Sequence, residues 1–379
     1  MIKTTRLSWI LFFTILFSIL LHLPAEEGTI PFQYCRGLII VPCRIDSAPE
    51  IYNFIVDTGG VTFIDKKLAD TLQLKQRGQM AKITEMELSG VRIENVFCFT
   101  NFELGIFRSL PIPIRGIIGS NLLERFRVGF DFQSQVLTLD QGDEPLAPPQ
   151  GGYVLKFRNH PVNSAPIIVF GSGQKNIEGM IDTGQPYPIV FPLDSLEEYR
   201  SLLDPKIIES NGLIEEWPMT SADHNYLARL KSFELPEMKS EHLLCLFAEL
   251  PKPLSMPLLG MDFLRRFKIT IDYPRDEITL IPVEGLSFPQ NQFSAGFRPE
   301  VQKDDTIVIK AIWKGTPADL AGLRAGDIIS SFHTQKYSGK GFDELWQVLR
   351  DDEIKVIHLE IKKQNGGKEI VLRKIRLFS

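Results

Sequence analysis

Two short segments carry the same acidic tripeptide, "FIVDTGG" at residues 54–60 and "GMIDTGQ" at residues 179–185. A given tripeptide turns up by chance in roughly a tenth or fewer of chains this long, so two copies in matching contexts need a cause. An aspartate beside glycine usually makes a turn. Here Phe54, Ile55 and Val56, and likewise Met180 and Ile181, set Asp57 and Asp182 just past apolar runs. An ionised carboxylate in such a place is costly unless it has partners, which makes both residues candidates for acid–base chemistry. Thr58 and Thr183 add hydroxyls. Gly59 and Gly184 let another chain come close and leave an unobstructed backbone N–H beside each acid.

The elements that position these loops come from an internal repeat. "IIGSNLLERFRVGFDFQSQVLTL" (117–139) and "LLGMDFLRRFKITIDYPRDEITL" (258–280) align without a gap, matching Gly119 with Gly260, Phe126 with Phe267 and Asp131 with Asp272. Gly119 follows Asp57 by 62 residues and Gly260 follows Asp182 by 78. Residues 30–140 and 153–282 therefore read as two copies of one lobe. The second copy carries an insertion around "LDSLEEYRSLLDPKIIESNGLIEEW". Gly119 and Gly260, each behind two aliphatics, suit a strand that passes the Asp loop with no room for a side chain. Within each lobe, short β-branched and aromatic runs are broken by turn residues, with brief helices over 121–126 and 262–267. The segment "KITEMELSGVRIENV" (82–96) reads as a hairpin turning at Ser89 and Gly90, and residues 141–152, "QGDEPLAPPQGG", read as a linker.

From about residue 293 to 379 the pattern changes to a compact α+β module, large enough to fold alone. It offers a strand at "TIVIKAIW", a short helix at "TPADLAGL", a strand at "IISSFH" and a longer helix at "FDELWQVLR". Two last strands, "IKVIHLEIKK" and "KEIVLRKIRLF", join through "QNGG".

Bulk properties exclude several classes. The 379 residues are 44% hydrophobic and 23% charged, ordinary values for a chain with a real core. Net charge is −5 with no long basic run, so no nucleic-acid partner is expected. At residues 1–25, Lys3 and Arg6 precede an apolar stretch that ends near Leu23 and Ala25. That describes an export signal, with a retained anchor helix as its alternative. Either way the body belongs outside the cytoplasm, in the periplasm or cell envelope, and meets a membrane only through that segment. Cys35 and Cys43 flank "RGLIIVP", read as one strand, which holds them too far apart to pair, while Cys98 and Cys245 read as buried strand residues. Metal, thiol-redox, serine-elbow and phosphate-loop motifs are all missing, and the six histidines are scattered, so neither metal nor cofactor is expected.

On the two triplets and "IIGSNLL" (117–123), the lobes resemble retropepsin-like aspartic proteases over residues 30–282. The resemblance implies a mainly β, bilobal acid-protease fold in which Asp57 and Asp182 face each other. It also implies that Thr58 and Thr183 lock the pair by crossed hydrogen bonds, with Gly59, Gly184, Gly119 and Gly260 in support. Two carboxylates about 3 Å apart share one proton. One would then take a proton from a bound water while the other polarises the scissile carbonyl, the pair titrating as a unit. After the triplets stand Gly60 and Gln185, where the family has Ala or Ser. Gln185 either narrows substrate choice or marks a lobe drifting away from catalysis.

Residues 293–379 resemble a bacterial-type PDZ domain, through "GTPADLAGLRAGDIISS" (315–331) and "FSAGF" (293–297). That likeness implies that Ala295, Gly296 and Phe297 present N–H groups to a peptide's terminal carboxylate, with "FDELWQVLR" walling the groove. The combined expectation is an exported, monomeric aspartic endopeptidase acting on peptide or protein substrates, with C-terminal peptides held at the PDZ domain. Two alternatives stay open. One is a non-catalytic peptide clamp of degenerate lobes plus PDZ, and the other a homodimer using one lobe from each subunit.

Overall fold

A computed structural model describes residues 28–101, 107, 110–141, 150–214, 221–236, 238–252, 255–285, 287–302, 304–335, 338–363 and 366–378. The expected leader at 1–25 and most of the expected linker lie outside them. The chain is mainly β. Among the described residues no helix is long and apolar enough to cross a membrane. The chain divides into two compact units. The first holds the described residues within 1–104, 114–165 and 267–284, and the second those within 105–113, 166–266 and 285–379.

In the first unit the strand Tyr52–Asp57 runs antiparallel to Leu38–Ile45 on one side and parallel to Ile114–Gly119 on the other, with Asp57 opposite Gly119. The sheet continues through Phe63–Ile64, Val91–Phe99 and Met80–Leu88. Apolar residues drive this arrangement: Ile39, Val41, Phe54, Val56, Ile83 and Ile118 are fully buried. The second unit repeats the order strand for strand, through Pro166–Ser172, Lys175–Ile181, Leu258–Leu259, Ile189–Pro192, Met238–Ala248 and Tyr226–Leu235. In both, the strand leading into Asp-Thr-Gly lies parallel to the strand that runs up to the repeat's glycine.

A further six-stranded sheet in the first unit runs Thr29–Pro31, Val136–Asp140, Arg127–Asp131, Phe267–Asp272, Glu277–Pro282 and Tyr153–Lys156. Its central pair is antiparallel with Gly129 opposite Thr270, which are equivalent positions in the gap-free alignment. Those two strands therefore pair about a local two-fold. Their ion pairs obey it: Arg127 Nε lies 3.0 Å from Asp272 Oδ2, and Lys268 Nζ lies 3.3 Å from Asp131 Oδ2.

The helices that follow the repeat's glycines are Ser120–Leu123 and Met261–Leu264, shorter than the pattern suggested. Each starts directly after Gly119 or Gly260 in extended conformation and stops because the chain must enter the central sheet at Arg127 or Phe267. Cys35 and Cys43 do not share a strand. Cys35 ends Gln33–Cys35, and a tight turn at Arg36 (φ 50°) and Gly37 (φ 87°) leads into Leu38–Ile45. Cys35, Cys43, Cys98 and Cys245 are all free thiols.

Within the second unit, the strand Ile307–Trp313 pairs with Phe297–Val301, and also with Ile328–His333. Val356–Lys363 and Gly366–Arg373 extend the sheet. Leu345 and Val348 of the helix Phe342–Arg350 are buried against Ile309, Ile357 and Leu359. The insertion at 193–217 forms short helical turns over Leu193–Leu202, then the strand Ile208–Asn211, with 215–217 outside the described residues. That strand pairs with the far end of Ile307–Trp313, Ser210 opposite Trp313.

Candidate functional site

The first triplet closes on itself. Gly59 N–H donates to Asp57 Oδ1 at 2.9 Å, and Gly60 N–H donates to the Asp57 carbonyl at 3.3 Å. Gly60 lacks the Cβ that would sit 2.6 Å from Asp57 Oδ2. Thr58 is fully buried, and its carbonyl accepts the Ser120 hydroxyl at 2.6 Å. That hydroxyl also lies 2.8 Å from the Tyr273 Oη. Burial pushes the Tyr273 phenol well above its usual range; the bond to Ser120 opposes the shift, while the charges of Glu124 and Asp57 add to it. Asn163 Nδ2 donates to the Gly59 carbonyl at 2.6 Å. Gly119 N–H donates to Thr62 Oγ1 at 3.1 Å, and a Cβ there would stand 2.3 Å from the carbonyl carbon of Val61.

The second triplet closes the same way in its own unit. Gly184 N–H donates to Asp182 Oδ1 at 2.8 Å, and Asp182 N–H donates to the Leu259 carbonyl at 2.9 Å. Asp182, Thr183 and Gln185 are all buried. Gln185 turns inward: its Oε1 accepts Tyr187 N–H at 2.9 Å, and its carbonyl accepts Met261 N–H at 2.7 Å. The side chain thus holds its own loop. A Cβ at Gly260 would stand 2.2 Å from the Tyr187 carbonyl oxygen.

Sequence reasoning missed Ser120, Asn163 and Tyr273 around the first loop. Ser120 carried a usable signal, because its partner in the repeat is the apolar Met261. Asn163 carried none, lying 104 residues from the carbonyl it binds.

At the start of the C-terminal module, Ala295 and Phe297 are buried and Gly296 adopts φ +94°. Gly296 N–H donates to Ser294 Oγ at 3.0 Å, and its carbonyl accepts Trp313 N–H at 2.9 Å. A Cβ on Gly296 would overlap Thr316 Oγ1 at 1.9 Å, so no other residue fits this turn. Among the described residues, Phe297–Val301 has Ile307–Trp313 as its only strand partner. The helix Phe342–Arg350 packs beside it.

No protein-family model matches the chain. Among curated proteins it is similar to "Probable CtpA-like serine protease" from Staphylococcus aureus strains COL, MRSA252 and N315, 28% identical over 83 residues in each case. The match spans 22% of this chain and 17% of each relative. These relatives are serine proteases by name, and on that finding the aspartic type is corrected. The retropepsin-like assignment, the aspartic endopeptidase activity and the water activated between Asp57 and Asp182 are withdrawn with it. A local reason accounts for the misreading. An Asp-Thr-Gly whose carboxylate accepts the N–H two residues on makes a turn, and that hydrogen bond needs no shared proton. A serine nucleophile in its turn needs an adjacent base. Among the described residues no serine hydroxyl is bonded to a histidine or lysine side chain.

Proposed function

We propose that the protein recognises extended polypeptides in the service of proteolysis, its C-terminal module acting as a PDZ-like domain that takes the free carboxyl end of a peptide. In this reading two tandem β lobes, 30–140 and 153–282, are joined by 141–152 and followed by the peptide-binding module at 293–379. The protein is exported, works as a monomer in the periplasm or cell envelope, and has peptides or unfolded proteins as its partners.

The observation that carries the proposal is the strand Phe297–Val301, paired along one edge and flanked by the helix Phe342–Arg350. A strand at the edge of a sheet is a template for an added strand, and main-chain hydrogen bonding gives affinity without demanding one sequence. The turn at Ala295, Gly296 and Phe297 opens that strand, where the end of an added peptide would fall. Its Gly296 N–H is held by the Ser294 hydroxyl, a partner that rotates away at little cost when a carboxylate arrives. The name of the curated relatives supports the proteolytic part.

The test is fluorescence anisotropy of labelled peptides with apolar C-termini, each as the free acid and as the amide, titrated with the full chain. The free acids should bind at least about tenfold tighter, the worth of a charge-assisted hydrogen bond. Equal affinity, or no binding, overturns the carboxylate reading. Cleavage of an unfolded protein by the full chain tests the proteolytic part separately, and a substrate left intact removes it.

A further inference from the structure

We propose that His333, His358 and Glu369 form a binding site for a zinc-type divalent cation on the exposed face of the C-terminal sheet. The three residues come from three neighbouring strands, Ile328–His333, Val356–Lys363 and Gly366–Arg373. His333 stands directly opposite His358 in antiparallel register. Glu369 pairs with Glu360, which places it diagonally across from His358 on the next strand. Alternation puts all three on one face, because Phe332, Ile357, Leu359, Ile370 and Leu372 between them point into the core.

The geometry is close to what a cation requires. One ligand atom from each residue lies within 4.8 Å of the others. The imidazole rings are nearly parallel with centroids 4.2 Å apart, and His358 Nδ1 is 3.1 Å from Glu369 Oε1. Zinc bonds to imidazole nitrogen and carboxylate oxygen are about 2.0–2.2 Å, so two ligands on one ion sit roughly 3–3.5 Å apart. Small rotations about exposed side-chain torsions bring the three atoms to that spacing. Two nitrogens and one oxygen suit zinc and its borderline neighbours over magnesium or calcium, which take oxygen-rich shells. Exposure leaves a path for entry and a fourth position for water. A bound ion would brace the three strands through side chains that already meet there, His333 stacked on His358 and His358 beside Glu369. The two histidines are 25 positions apart in sequence, so no local motif announces the site.

Isothermal titration of the full chain with zinc chloride at pH 7.5 tests this, with magnesium and calcium chloride as controls. Zinc should bind at one equivalent, magnesium and calcium should not, and zinc should raise the melting temperature. His333→Ala and His358→Ala should each weaken zinc binding at least tenfold, and Glu369→Gln less. Circular dichroism without metal should show all three variants folded, since the residues are on the surface. Cobalt(II) should give the intense visible absorption of a tetrahedral centre, lost in His358→Ala. Zinc binding that is absent from the wild type, or unchanged in both histidine variants, overturns the site.

Discussion

Arg127 and Asp272 face each other across the central strand pair, and the repeat supplies a second copy of the contact in Lys268 and Asp131. The two copies differ in burial. The Arg127 and Asp272 side chains are 9% and 5% exposed, those of Lys268 and Asp131 59% and 26%. Removing one partner of a buried pair leaves an uncompensated charge and costs about 3–5 kcal/mol, whereas an exposed pair is worth about 1 kcal/mol or less. Arg127 keeps a looser contact with Asp140 at 3.6 Å, which places Asp272→Asn at the lower end, about 3 kcal/mol. Lys268→Ala should cost under about 1 kcal/mol, both read by urea denaturation. The exposed copy also carries a pH signature. Burial alone would raise the Asp131 carboxyl, but the Ser134 backbone N–H and Lys268 outweigh it and hold the group below its ordinary 3.8. A carboxyl depressed in the folded state stabilises above its unfolded value and loses that contribution as pH falls through the folded one. Stability should therefore drop below pH 3.8, and drop less steeply in Lys268→Ala. Identical acid profiles would show that Lys268 does not hold Asp131 down.

At the scale of elements, each Asp loop is pressed against a strand that ends in glycine. A Cβ at Gly119 would meet the Val61 backbone at 2.3 Å, and one at Gly260 would meet the Tyr187 carbonyl oxygen at 2.2 Å. Backbone cannot swing aside as a flexible side chain can, so Gly119→Ala and Gly260→Ala should each cost about 1–3 kcal/mol or more. Denaturant midpoints close to wild type would mean that the loops are less tightly seated than their spacing indicates. The tightness of this contact was legible in sequence, because two aliphatics before a lone glycine describe a strand in close approach. The hairpin Met80–Leu88 and Val91–Phe99 was legible for a similar local reason, with Ser89 (φ 50°) and Gly90 (φ 94°) forming the turn. Misreadings arose where chemistry depends on pairing. The turn at Arg36 and Gly37 hides inside an apolar run, and His333 and His358 meet only through strand register. The aspartic chemistry was over-read from a tripeptide whose hydrogen bonds make it, first of all, a turn.

At the scale of the molecule, sequence presents residues 293–379 as a piece that could stand alone, yet the structure stitches them to the rest of the second unit. The strand Ile208–Asn211 lies between Tyr226–Leu235 and Ile307–Trp313, with Asn211 opposite Ile312. Lys314 N–H donates to the Glu209 carbonyl at 2.9 Å, and Trp313 beside it is 2% exposed. Because the pairing is continuous, the cores of 166–266 and 285–378 should unfold together. Proline has no N–H to give and is poorly tolerated in a strand flanked on both sides. Asn211→Pro should therefore break the stitch without touching either core, and calorimetry should show the second unit's transition split in two, the C-terminal module melting separately. Trp313, uncovered along that edge, should shift its fluorescence to longer wavelength before the main transition. One unsplit transition in Asn211→Pro would mean that packing elsewhere, rather than this strand, makes the unit cooperative.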